Sequence, residues 1–112
     1  KNKNDENYLP LQENLKLLQK SRLENGKQLN IVELPMPNPV IWEDQRLPAS
    51  YANFYISNYG VIVPLYSCPQ DEEAIDILSK LFTDRKVIGI DSTDIIWGLG
   101  SFHCLSQQEP KL

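Results

Sequence analysis

The segment 69–91 constrains the fold most strongly, because a clear helix signal is followed at once by a clear strand signal. Pro69 suits the first turn of a helix, and the acidic residues at 71–73 lie where the helix dipole favours negative charge. Apolar residues then recur at helical spacing, which predicts an amphipathic helix over 71–82. The compact Val/Ile run at 86–91 predicts a strand. Together these signals indicate an α/β unit.

The first half of the chain predicts shorter elements. A proline that suits a first helical turn and leucines at helical spacing predict an amphipathic helix over 10–24, before a stop at Gly26. The segment 29–34 is partly β-branched and is closed by a series of prolines, so it predicts a strand that enters a loop. That loop runs through 35–48, and a loop of this length is typical of a functional segment or of one packed on a neighbour.

The second half adds a hairpin and a final strand to the helix and strand at 71–91. The apolar and aromatic runs 52–57 and 61–65 are separated by a short turn sequence, which predicts a hairpin. A glycine-containing turn at 97–100 precedes a possible strand at 101–107. We therefore expect a small α/β unit of mixed short sheets, with one helix covering each hairpin or strand, rather than a parallel βαβ nucleotide fold.

Composition restricts the class of protein. The 112 residues are 41% hydrophobic and 23% charged, which predicts one soluble globular unit after a polar, mobile stretch at 1–7. The net charge of −4 and the scattered basic residues argue against a nucleic-acid partner. No apolar run is long enough to span a membrane and none resembles a signal peptide, so we expect no membrane partner and a cytoplasmic location.

The chain contains two cysteines, Cys68 and Cys104, and a single histidine, His103. The cysteines are far apart, form no CxxC pair and have no second histidine, so a metal site is not expected. One disulfide is possible, but reduced thiols are more typical of such a chain. Gly98 and Gly100 form only a GxG, which indicates a turn rather than a phosphate cradle. No cofactor is therefore predicted.

The most informative motif is WGLGSFHCLSQQEP at 97–110. It resembles the agmatine deiminases of the peptidylarginine-deiminase-like, or pentein, group, in which a glycine-rich turn leads into an H-C-[IL]-[TS]-Q-Q strand that carries the nucleophilic cysteine. Four further blocks resemble the family in the same order: LPASYANFYI at 47–56, VIVP at 61–64, DEEA at 71–74 and VIGID at 87–91. The resemblance covers residues 8–112 and assigns the role of nucleophile to Cys104.

The resemblance implies a C-terminal portion of a deiminase domain over 8–112, forming the last one to two repeats of a pentein-type α/β propeller. It implies a cationic guanidine substrate, agmatine, converted to N-carbamoylputrescine and ammonia in putrescine and polyamine biosynthesis. The family's catalytic histidine and acids lie upstream of the matched region, so the isolated 112-residue chain is expected to be inactive and to need that upstream part. A homo-oligomer is compatible with the sequence.

Gly98, Gly100 and Ser101 are the expected supporting residues beside Cys104. The family commonly has a run of glycines followed by Asn at this turn, whereas this chain has Leu99, Ser101 and Phe102. These departures leave the substrate open.

His103 is a poor candidate for the catalytic base. In a strand, adjacent side chains point to opposite faces, so His103 and Cys104 should not share one pocket. His103 is therefore expected to be a packed or hydrogen-bonded strand residue.

Other chemically suggestive residues have structural interpretations beside functional ones. Cys68 fits a helix-start or buried thiol better than a nucleophile. Asp91 and Asp94 could stand near the site, although turn and helix-start roles are more typical. For Trp42 and Trp97, a role as apolar packing residues is more typical than a role in stacking on a substrate.

Three functions remain from the sequence. The first is an agmatine deiminase, and the second is a deiminase of peptidyl-arginine or another guanidine. The third is a non-catalytic binding or assembly module that keeps Cys104 as a relic.

Overall fold

The computed structural model of the chain describes residues 3–110. The chain divides into two compact units at the boundary between Glu33 and Leu34. Turns occupy residues 3–7 of the polar N-terminal stretch, and its predicted mobility stays a prediction. Lys1 and Asn2, and residues 111–112 at the other end of the predicted deiminase portion, lie outside the described residues.

The first unit contains the helix α1 (Tyr8–Lys20), which confirms the predicted helix with earlier bounds at both ends. It ends at Ser21, whose backbone adopts an extended conformation and whose hydroxyl donates to the Leu17 carbonyl. The predicted strand at 29–34 is wrong. Pairing in this region is limited, among the described residues, to a single bridge between Arg22 and Gln28, and the segment after it has no strand partner.

The second unit begins with a small hairpin that sequence reasoning missed. Strands β1 (Ile41–Trp42) and β2 (Gln45–Arg46) pair antiparallel within the segment expected to be a loop. Glu43 and Asp44 connect them with φ angles of 45° and 63°. Two consecutive positive φ angles match a type I′ turn, which usually contains Asn-Gly or Asp-Gly and is hard to recognise as Glu-Asp.

A three-stranded sheet in the order β3-β4-β5 forms the centre of this unit. The predicted hairpin is confirmed, with β3 (Tyr55–Ile56) antiparallel to β4 (Gly60–Leu65). The predicted helix and strand are also confirmed, as α2 (Gln70–Leu81) and β5 (Lys86–Asp91).

The strand β5 lies parallel to β4, so β4-α2-β5 is a βαβ unit within a sheet that also contains the antiparallel β3–β4 pair. The predicted α/β unit with mixed short sheets is therefore confirmed, although the sequence did not predict this parallel pair. Parallel neighbours need a crossover, which α2 provides.

The core lies where this sheet meets α2 and the segments on either side of it. One face of α2 buries Ala74 and Leu78, and the middle strand buries Val61 and Val63. The other buried hydrophobic residues are Leu47, Ala49, Tyr51, Tyr66 and Ile96. No helix within residues 3–110 has the length and apolar character needed to cross a membrane.

The predicted last strand at 101–107 is wrong, because the structure has a short helix there, α3 (Phe102–Leu105). Its backbone bonds are local: the Leu105 N–H donates to the Ser101 carbonyl at 3.0 Å, and the Ser106 N–H donates to the His103 carbonyl at 3.2 Å. Local bonds of this kind satisfy the backbone without a neighbouring strand. The apolar spacing of such a short segment does not distinguish a helical turn from a strand.

The buried face of α2 gives a direct test of the core. Leu78→Ala should lower the free energy of unfolding by about 2–5 kcal/mol, because it removes a side chain that is 1% exposed and leaves a cavity. Leu81→Ala on the same helix is the matched control, since Leu81 is 48% exposed and should change stability much less. Chemical denaturation of both variants measures the difference, and equal losses would contradict the assigned core face.

Candidate functional site

The candidate site is built around the thiol of Cys104, which is exposed on α3. Asn53 meets this residue with both ends of its side-chain amide. Its Oδ1 accepts the backbone N–H of Cys104 at 3.2 Å, and its Nδ2 donates to the Cys104 Sγ at 3.0 Å. The backbone N–H can only donate, so Oδ1 must face it and Nδ2 must face the sulfur. The N–H group directed at the sulfur fixes the position of the Cys104 side chain.

A short 3-10 turn at Tyr51–Asn53, here called the Asn53 turn, places Asn53 at this position. Ser50 caps the turn, because its hydroxyl accepts the N–H of Ala52 at 3.2 Å. Tyr51 is fully buried and donates its hydroxyl to Asp71 Oδ1 at 2.6 Å, which attaches the turn to the start of α2. The turn is therefore anchored before it reaches Asn53.

Asp71 fixes several groups around that anchor. Its carboxylate also accepts the backbone N–H groups of Tyr66 and Cys68, at 3.1 and 3.2 Å. The half-buried Cys68 thiol lies 3.2 Å from the Tyr51 hydroxyl. Burial, followed by the hydrogen bond to Asp71, raises the pKa of Tyr51 far above its ordinary value, so the phenol stays protonated and remains a donor. Cys68 thus lies at the start of α2, in a structural network.

Gly100 allows the close approach of Cys104 to the turn before α3. A Cβ at position 100 would lie 2.7 Å from the Cys104 Cβ and 3.3 Å from its Sγ. Gly98 differs, because a Cβ there would meet nothing within 4 Å. Between them, Leu99 has a φ of 63°, a left-handed conformation that glycine adopts more easily than leucine. Of the two predicted supporting glycines, only Gly100 therefore has a steric reason to be glycine.

This difference predicts unequal effects of two alanine substitutions. Gly100→Ala should displace Cys104 from Asn53 and slow alkylation of the Cys104 thiol by about tenfold or more, because displacements near 1 Å can lower reactivity strongly. Gly98→Ala should leave that rate close to the parent value. Iodoacetamide labelling followed by peptide mass spectrometry measures both rates, and similar rates in the two variants would contradict the steric role of Gly100.

Ser101, the third predicted supporting residue, is fully buried. Its hydroxyl is hydrogen bonded to the hydroxyl of Ser92, which is also fully buried. Ser101 therefore supports the start of α3 from inside the unit. Its direct contact with a substrate stays a prediction.

His103 is exposed and lines an open cleft next to β3. The cleft has a volume of about 590 Å³, and its lining does not include Cys104. The remaining lining residues are Ala52, Phe54, Tyr55, Ile56, Ser106, Gln107 and Gln108. Because the segment is helical, strand alternation no longer separates His103 from Cys104; neighbouring helical residues are turned by about 100° instead. That His103 is not the base stays a prediction.

The other suggestive residues have structural partners. Asp91 accepts the Ser67 hydroxyl at 3.1 Å and the Thr93 N–H at 2.8 Å. The side chain and the backbone N–H of Thr93, which lie beside the Asp91 carboxylate, lower its pKa. Asp94 is exposed in the same turn.

Trp42 and Trp97 stack on each other with ring centroids 3.8 Å apart, and this contact joins the β1–β2 hairpin to the turn before Cys104. About half of each indole is exposed. The contact between the two indoles therefore covers one face of each ring.

The described residues supply an exposed thiol and its amide partner. Within residues 3–110, no cluster of three or more His, Cys, Asp or Glu side chains is arranged to hold a metal ion. The observed hydrogen bonds of Cys104 go to Asn53, an amide that does not titrate. Asn53, Tyr66 and Ser92 were missed by sequence reasoning, although Asn53 stands within one of the family-like blocks. The arrangement can orient the Cys104 sulfur.

Comparison with known proteins identifies the family. A sequence model of the Porphyromonas-type peptidyl-arginine deiminases matches residues 1–110, and the chain belongs to this family. The agmatine deiminase of Pseudomonas aeruginosa (strain LESB58) is 33% identical over 95% of this chain and 34% of its own length.

Solved structures agree with this assignment. A crystal structure of a Porphyromonas gingivalis protein is 38% identical, with a TM-score of 0.94, over 99% of this chain and 33% of that one. A C. jejuni agmatine deiminase with one cysteine replaced by serine, solved with substrate bound, is 40% identical with a TM-score of 0.80. It matches 92% of this chain and 29% of its own length. The chain thus spans about a third of the length of these relatives.

Proposed function

We propose that this chain carries the nucleophilic cysteine, Cys104, of a guanidine deiminase. The observation that carries the proposal is that the two ends of the Asn53 amide bind the exposed Cys104, one at its sulfur and the other at its backbone N–H. A sulfur with a directed N–H donor and an open approach suits a nucleophile better than a packing group. Membership of the deiminase family supports the same assignment.

The proposed reaction begins with addition of the Cys104 thiolate to the central carbon of the guanidinium group. The tetrahedral adduct takes up a proton on one amino nitrogen, its carbon–nitrogen bond breaks, and ammonia leaves. A positively charged amidino-thioether remains on the sulfur. Water then adds to the same carbon and loses its protons, and the carbon–sulfur bond breaks to return the thiolate. The product is a urea group, so one guanidinium and one water give one urea and one ammonium ion.

The chain contributes only part of the catalytic groups needed for this sequence. Proton transfer requires a positioned acid and base, and a guanidinium is best held by carboxylates that match its fork of donors. Because the relatives are about three times as long as the matched region, we place the histidine and these acids in the remainder of the domain. In the same proposal, the mixed sheet and α2 form the C-terminal one to two repeats of a propeller-like α/β domain.

Agmatine is the proposed substrate, and N-carbamoylputrescine the product that leads to putrescine. The names of the P. aeruginosa and C. jejuni relatives support this choice. A substrate bound to a cysteine-to-serine variant is what a covalent cysteine mechanism predicts for an enzyme that has lost its nucleophile. The proposed setting is the cytoplasm, where free thiols such as Cys68 and Cys104 stay reduced.

Peptidyl-arginine is the second candidate substrate, because the matching family is described by that activity. Leu99 and Ser101, which depart from the family's turn, keep this alternative open. The two substrates share the guanidinium group and differ in what is attached to it.

Ammonia release from agmatine, free arginine and an arginine-containing peptide tests the substrate assignment. The intact natural protein should have the highest kcat/KM for agmatine, and a preference for the peptide would select the second candidate. The isolated 112-residue chain should release no more ammonia than its Cys104→Ala variant, because positioned acid–base groups contribute about 10² to 10⁴ in rate. Cys104 alkylation no faster than that of Cys68 in the intact protein would instead favour the non-catalytic module.

A further inference from the structure

A buried tyrosine, Tyr66, lies at the point where the two segments of the candidate site begin. It follows the last residue of β4 and is 6% exposed. Its hydroxyl donates to the carbonyl of Ser50 at 3.2 Å and accepts the N–H of the same residue, also at 3.2 Å. Ser50 caps the Asn53 turn. One phenol oxygen thus binds both backbone polar groups of the residue from which that turn begins.

The segment that carries Cys104 comes close to the same hydroxyl. Burial raises the pKa of Tyr66, and the side chain of Ser101, the residue before α3, acts in the opposite direction. Ser101 is fully buried and hydrogen bonded to Ser92.

These contacts relate the start of the Asn53 turn to the candidate site. Asn53 lies three residues after Ser50, and Cys104 lies three residues after Ser101. The Tyr66 hydroxyl fixes the backbone of Ser50, and the Asn53 amide then reaches the sulfur and the backbone N–H of Cys104. A shift of Ser50 would change the distance between the amide and the sulfur.

We propose that the Tyr66 hydroxyl is a positioning group that sets the placement of Asn53 against the nucleophilic sulfur of Cys104. The inference rests on the proposed function and deepens it. A phenylalanine would fill the same space, whereas a buried hydroxyl is unfavourable unless its hydrogen bonds are satisfied. Here they are satisfied by the backbone of Ser50, from which the Asn53 turn begins. Burial raises the pKa of Tyr66, so the hydroxyl keeps its proton and its donor role.

The test is Tyr66→Phe in the intact natural protein, with agmatine as substrate. We expect kcat to fall about tenfold while KM changes little, because the nucleophile is misplaced and groups elsewhere still bind the guanidinium. Ser57→Ala is the matched control. The Ser57 hydroxyl makes hydrogen bonds in the turn between β3 and β4, so its loss perturbs folding without touching the site. An unchanged kcat in Tyr66→Phe, or an equal fall in Ser57→Ala, would overturn the proposal.

A double-mutant cycle separates positioning from a general loss of stability. If Tyr66 acts through the amide, Tyr66→Phe should have little further effect on kcat in an Asn53→Ala background. If Tyr66→Phe instead lowers kcat by the same factor in the Asn53→Ala background as in the parent protein, the proposal is contradicted. Should Tyr66→Phe fail to fold, Ser101→Ala is subjected to the same cycle, because it removes a side-chain hydroxyl that acts on Tyr66 and leaves the hydrogen bonds to Ser50 in place.

The outcomes distinguish this inference from the proposed function. Turnover that survives Cys104→Ala would refute the function itself. Turnover that needs Cys104 but is indifferent to Tyr66 and Ser101 would refute only the positioning role.

Discussion

Replacing Cys104 with alanine is expected to abolish agmatine turnover in the intact natural protein, with a loss of at least about 10⁴-fold in kcat, because the whole covalent route depends on this sulfur. His103→Ala should retain a measurable fraction of the parent rate. His103 lines the cleft beside β3, and the observed hydrogen bonds of Cys104 go to Asn53 instead. Steady-state ammonia release measures both variants.

His103→Ala is also the matched control for Cys104→Ala, because both truncate exposed, adjacent residues of α3. If the two substitutions abolish turnover equally while both proteins remain folded, His103 takes part in the chemistry. The separation of its role from that of Cys104 would then be wrong.

Asn53→Ala is expected to lower kcat by about 10²-fold, because it removes the N–H donor that faces the sulfur and frees the backbone N–H of Cys104. Asn53→Asp should be at least as damaging despite its nearly identical size. A carboxylate keeps the acceptor for the backbone N–H but places negative charge where the donor stood, which disfavours the thiolate. Alkylation of Cys104 should slow in the same order as kcat.

Asn58→Ala provides the control, since Asn58 is an exposed asparagine in the turn between β3 and β4. It should leave both rates near the parent values. An Asn53→Asp protein as active as the parent would show that the N–H directed at sulfur has no part in activating it.

The parts of the fold that could be predicted are those whose signals are local and periodic. An acidic first turn and an apolar stripe predict the helix α2, and a compact β-branched run predicts the strand β5. Their direction of pairing could not be predicted, because periodicity does not report whether β5 joins β4 in parallel. The β1–β2 hairpin was missed because its turn residues, Glu43 and Asp44, are unusual for their positive φ angles.

The site was predicted only in part, for a similar reason. The motif at 97–110 identifies Cys104, since it is contiguous in the sequence. Asn53 lies 51 residues away, and its importance comes from a tertiary contact. The same holds for Tyr66, an aromatic residue whose ring belongs to the core and whose hydroxyl is bonded to Ser50 at the start of the Asn53 turn. Side chains with such double roles carry no local signal.

Mass spectrometry of the intact natural protein during turnover of agmatine tests the central claim most directly. Rapid acid quenching should trap the amidino group on a cysteine-containing peptide. The account predicts an adduct on Cys104 and none on Cys68, whose half-buried thiol is engaged near Tyr51 and Asp71. An adduct on Cys68, with Cys104 unmodified while turnover proceeds, would contradict the assignment of Cys104 as the nucleophile.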